Sequence, residues 1–83
     1  MSRHTIKHTD PNRSIVVGYD RPTGAYFCQV WEKGTIEEPV YIDYCFDPDE
    51  LESLGAIVPD GLRETLRNEV IGESDTNTVK DWR

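Results

Sequence analysis

Sulfur, histidine and long apolar runs are all scarce in this chain, and each scarcity removes a class of function. The 83 residues include two cysteines, Cys28 and Cys45, with no Cys-x-x-Cys between them, and two histidines, His4 and His8. A structural zinc site needs four nitrogen or sulfur ligands at close spacing, and the chain does not supply them. No apolar run approaches the ~20 residues that a membrane-spanning helix requires. The first ten residues are polar and lack the apolar segment of a secretory signal. The chain therefore reads as cytoplasmic, with two free thiols as the default in a reducing compartment and a disulfide between neighbouring strands as the alternative. Neither membrane nor cofactor is expected as a ligand.

What is present is charge, unevenly placed. Residues 1–35 hold five bases and three acids, whereas residues 36–83 hold four bases and thirteen acids. The steepest segment runs from Asp43 to Glu52, with five acids, no base, and Tyr44 and Phe46 among them. Such a surface repels nucleic acid and attracts basic partners. The length makes this one domain with a thin core, burying not much more than ~60% of its unfolded surface, which disfavours a deep substrate cavity.

Periodicity places the elements. Residues 1–13 are polar and read as a flexible arm, with turn chemistry at Asp10-Pro11-Asn12. Ser14–Tyr19 is rich in β-branched residues and predicts a strand. Asp20-Arg21-Pro22-Thr23-Gly24 predicts a tight hairpin turn, and Ala25–Trp31 a second strand. After a longer connection, Val40, Ile42, Tyr44 and Phe46 predict the apolar face of a third strand, with Tyr41, Asp43 and Cys45 on its open face. Asp47, Pro48 and Glu50 carry the cap, first-turn proline and capping-box acid of a helix start, and Gly55 its end. Ala56-Ile57-Val58 reads as a linker. Leu62, Leu66 and Val70 predict a second helix that runs to about Ile71, with Gly72 beyond it. Residues 73–83 read as a polar tail. The expected fold class is α+β: a three-stranded antiparallel meander followed by a short and a longer helix packed on one face, within a single domain at 14–72.

Chemistry-bearing candidates are few. His4 and His8 stand four apart, but their segment shows no helical stripe and no neighbouring ligand, so they read as solvated tail residues. Cys28 and Cys45 lack a nearby base in sequence and read as structural thiols. The candidate partner-binding residues are Tyr41, Asp43, Asp47, Asp49, Glu50 and Glu52, where aromatic anchors stand within a rim of charge. Phe27, Gln29 and Trp31 form an outward strand face, read either as a dimer surface or as part of the packing; base stacking there is opposed by the net charge of −7.

Gly18-Tyr19-Asp20-Arg21-Pro22 and Tyr26-Phe27-Cys28-Gln29-Val30 resemble a group of short proteins from proteobacterial plasmids, integrative elements and phages. Those proteins run as Gly-aromatic-Asp-x-Pro, then aromatic-Phe-x-Gln-Val. The resemblance implies a mobile-element setting and transfers no functional residue. In size and charge the chain is similar to inhibitors of host defence such as anti-CRISPR proteins. The expected function is thus a small acidic, non-enzymatic protein-interaction module that binds a basic protein surface, in its sharp form an inhibitor of a nucleic-acid-handling complex by acidic-surface mimicry. The alternative is a self-associating module that dimerises through the outer sheet face or a strand edge, so the chain is expected to be a monomer or a homodimer.

Overall fold

Four strands in succession turn alternate residues toward one shared core, and the first of them is the segment expected to be an arm. In the computed structural model, which describes residues 1–72 and 78–83, the chain forms β1 (Arg3–His8), β2 (Arg13–Asp20), β3 (Ala25–Glu32) and β4 (Tyr41–Phe46). A 3-10 helix (Pro48–Leu54), β5 (Ala56–Ile57), α1 (Leu62–Val70) and β6 (Val79–Asp81) follow. The sheet order is β4-β3-β2-β1-β5, all antiparallel, while β6 pairs in parallel with β1. The sheet curls into a half-barrel, and α1 lies against its concave side.

The expected three-stranded meander with two helices on one face is therefore corrected. The sheet includes strands β1, β5 and β6 that the meander lacked, and among the described residues only α1 is an α-helix. The expected linker at Ala56-Ile57-Val58 supplies β5, and the expected tail supplies β6 from its described end, whereas residues 73–77 of that tail lie outside the described residues. The physical reason is the composition of β1. With Ser2 just before the strand, the inward positions read Ser2, His4, Ile6, so two of the three are polar and the usual apolar alternation is masked.

The core consists of Ile6, Ile15, Val17, Cys28, Val30, Phe46, Leu51, Ala56, Leu62 and Leu66, all buried. Register aligns Ile6 with Ile15 and His4 with Val17, then Val17 with Cys28 and Ile15 with Val30, so one face is built strand by strand. The two hairpin turns form where turn chemistry placed them. Asp10 Oδ1 accepts from the Asn12 amide at 2.9 Å, and Gly24 takes φ of 68° to close the second turn. Gly18 is required for a different reason: a Cβ there would stand 2.0 Å from the carbonyl oxygen of Ser2. The N-terminal segment can close over β2 only because that side chain is absent. Among the described residues, no helix is long and apolar enough to cross a membrane.

Candidate functional site

β4 pairs with β3 on one side, and no other described strand pairs with its far side, so it is an edge of the sheet. Its register carries an irregularity. Tyr26 aligns with Phe46 and Cys28 with Asp43, so two steps along β3 span three along β4. That extra residue is a bulge, and it reverses which side chains face the core on either side of it. Asp43 Oδ1 accepts from the Cys45 amide at 2.9 Å and stabilises the irregular turn of backbone.

The bulge moves the residues expected on each face of this strand. Phe46 enters the core as expected, but Val40, Ile42 and Tyr44, expected beside it, are exposed. Tyr41 and Asp43 were expected on the open face. They stand opposite Val30 and Cys28, on the core side of the sheet near its rim, with Tyr41 still 46% exposed. Ile42, aligned with Gln29, faces the convex side.

The start of the 3-10 helix carries the expected cap and proline, whereas Glu50 is exposed and, among the described residues, makes no capping-box bond back to Asp47. Asp47 caps it by accepting from the Asp49 amide at 3.0 Å, Pro48 opens the first turn, and Gly55 closes it with φ of 89°. The helix is 3-10 in winding, and Leu51 is its single buried side chain. Arg63 of α1 reaches across to this helix. Its guanidinium donates to the Pro48 carbonyl at 3.1–3.2 Å, pairs closely with Glu52, and lies 3.9 Å from Asp49. The Arg63 hydrogen bond holds the Glu52 carboxyl below its ordinary pKa, and the same bond raises the pKa of Arg63. Thus Glu52 is engaged within the fold, while Asp49 and Glu50 remain exposed, a few residues beyond Tyr44 in sequence.

The other expected face is partly closed. Phe27 is buried on the convex side, where its ring lies over Gly18. Gln29 Oε1 accepts from Trp31 Nε1 at 3.0 Å and from Arg3 Nη2 at 3.3 Å, so Gln29 and Trp31 are already tied to each other and to β1.

The thiols differ in environment. Both are free, Cys28 buried and Cys45 exposed. Burial, followed by the nearby charge of Asp43, pushes the Cys28 thiol up to about 11. At neutral pH it stays protonated and therefore poorly nucleophilic. Burial and then the charge of Glu69 raise the Tyr26 phenol in the same way, and its hydroxyl donates to the Leu66 carbonyl at 3.0 Å.

One buried cluster was missed in the sequence. Glu69 of α1 accepts from Ser2 Oγ at 2.6 Å through Oε1 and contacts His4 Nε2 at 2.8 Å through Oε2. Trp82 Nε1 donates to His4 Nδ1 at 3.0 Å. Indole nitrogen can only donate, so Nδ1 accepts and Nε2 carries the proton toward Glu69. The signal was available: Glu69 follows Leu62 and Leu66 at helical spacing, placing an acid where the stripe requires an apolar residue. Among the described residues, no buried side-chain nitrogen or oxygen lacks a partner, so this cluster is internally satisfied.

Cations also gather around a cleft of about 370 Å³, which is lined by Lys7, His8, Thr9, Pro11, Arg13 and Arg83. Arg13 lies 3.7 Å from Glu32 and Arg83 is 3.0 Å from Asp81, so two of these cations are paired. His4 and His8 are on β1 and do not converge on a metal site; among the described residues, no cluster of three or more His, Cys, Asp or Glu could hold an ion. Comparisons with family models, with curated proteins and with solved structures find no match to this chain.

Proposed function

We propose that this chain is a non-enzymatic interaction module that binds a basic protein surface through β4 and the start of the 3-10 helix. One observation carries this reading. Residues 34–62 hold eight acids and no base, and they fold into an edge strand and a capped turn that leave Tyr41, Ile42 and Tyr44 exposed. Apolar and aromatic anchors inside a rim of one charge favour a partner of the opposite charge. Basic protein surfaces of this kind include those that hold nucleic acid, so the sharp form of the proposal is a protein that places carboxylates where phosphates would sit. The free thiols Cys28 and Cys45 support a reducing, cytoplasmic setting.

The test is calorimetric titration of an oligo-arginine peptide, and of a panel of purified nucleic-acid-binding domains, at low and moderate salt. Binding is expected at low salt and should weaken about tenfold or more as the Debye length falls to ~8 Å at physiological salt. The Asp49→Lys/Glu50→Lys variant should lose it, since both carboxylates are exposed and Asp47, the cap, is left intact. Affinity that does not respond to salt, or no binding to any basic probe at low salt, overturns the reading.

A further inference from the structure

We infer that the β4 edge accepts an extended segment whose residues alternate between basic and aliphatic, added as a further strand of the sheet. This rests on the proposed reading that the partner is basic, and it adds how the partner docks. β4 has backbone groups on its far side that no described strand pairs, and Tyr41, Ile42 and Tyr44 of the strand, with Val40 just before it, are exposed. An exposed, apolar edge of this kind is a template for strand addition, in which main-chain hydrogen bonds give affinity and alternate side chains give specificity.

The register of β4 sorts those side chains. Tyr41 and Asp43 share the concave side, opposite Val30 and Cys28, while Ile42 shares the convex side with Gln29. An incoming strand therefore meets a carboxylate and an aromatic ring along one face and an aliphatic side chain along the other. Lysine or arginine suits the first face, by charge pairing with Asp43 and by stacking over Tyr41. Valine or isoleucine suits the second. Glu37 and Glu38 before the strand, and Asp47 and Asp49 after it, extend the same preference beyond both ends.

Charge also decides against a second copy as the occupant. Antiparallel pairing of two β4 strands sets the Glu37–Glu38 end of one against the Asp47–Asp49 end of the other. Parallel pairing sets Asp43 beside Asp43. Either register brings acids together, and like charges directly across a strand pair are destabilising.

The experiment titrates the full chain with four short peptides: one alternating Lys or Arg with Val or Ile, one of the same composition in two blocks, one alternating peptide N-methylated at every residue so that neither edge can donate, and one alternating Thr with Val. Binding is read by calorimetry, and protection of the β4 amides by hydrogen exchange. The alternating cationic peptide should bind about tenfold tighter than the N-methylated form, which loses two or three main-chain hydrogen bonds, and about tenfold tighter than the block form, whose side chains no longer match the two faces, and it should protect residues 41–46. Ile42→Lys and, independently, Tyr44→Lys should each weaken it about tenfold by charging the edge. Equal binding of the block and alternating peptides without β4 protection overturns strand addition and leaves the basic-partner reading standing. Equal binding of the Thr-Val and cationic peptides overturns both. A dimer in light scattering that either lysine variant disperses assigns the edge to a second copy and overturns the inferred occupant.

Discussion

Asp43 stands beside Cys28 because a single extra residue in β4 turned it from the open face to the core side. Its charge adds to burial in holding the Cys28 thiol protonated to about pH 11, against an ordinary value of 9.0. Between these two values the unfolded chain has lost the thiol proton while the folded chain keeps it. The folded state therefore binds more protons, and stability falls as pH rises through this window. Below pH 9 the contribution is complete. Urea unfolding midpoints are expected to decline from pH 9 to 11, and to decline less steeply in Cys28→Ala, although that variant starts lower because its core has lost a buried sulfur. The raised Tyr26 phenol acts in the same direction and leaves a residual slope in the variant. At neutral pH a thiol reagent should modify exposed Cys45 quickly and buried Cys28 only on unfolding. Two equally fast thiols would contradict the placement of Cys28.

At the scale of elements, the sequence was most legible where local chemistry decides the conformation. The β2–β3 hairpin, the Asp10 turn and the Asp47-to-Gly55 helical turn all follow from residues within a few positions of one another. What escaped was long-range. β1 is held by partners 65 to 78 residues away, since His4 and Ser2 satisfy Glu69, and Trp82 satisfies His4. A polar strand interior becomes affordable only when all its partners arrive together, and no local pattern announces that. Likewise the bulge in β4 is set by its pairing with β3, so the strand was recognised while the faces of Val40, Tyr41, Ile42, Asp43 and Tyr44 were inverted. Glu69 is consequently the clamp between α1 and the N-terminal segment that carries Ser2 and His4. Glu69→Ala should leave Ser2 and His4 buried without their acceptor and destabilise by about 3 kcal/mol or more in urea denaturation. Glu64→Ala, on the exposed side of the same helix, should change stability by no more than ~0.5 kcal/mol. Similar losses in the two variants would remove the clamp.

Across the whole molecule, the acids are concentrated along one run of chain while the extents are only 34 × 26 × 20 Å. The net charge of −7 is therefore confined to a body a few Debye lengths across, since screening extends about 8–10 Å near physiological salt. Arg63 offsets Glu52 and approaches Asp49, but no base occurs anywhere from residue 34 to residue 62 to offset Glu37, Glu38, Asp43 or Glu50. A compact acidic body of this kind opposes its own folding through self-repulsion, and salt relieves that opposition. The thermal midpoint should accordingly rise between low and moderate concentrations of a monovalent salt. Neutralising the exposed pair with Glu37→Gln/Glu38→Gln should raise the low-salt midpoint by roughly a few degrees, in line with about 0.5–1 kcal/mol for a small domain. The gain should shrink as salt is added, because screening then does what the substitution did. The same double variant should weaken binding to a basic probe, so stability and affinity would move in opposite directions. That opposition is expected when repulsion within the fold is retained for a partner that neutralises it, whereas a variant that gained stability with no loss of affinity would mark these acids as solvating only.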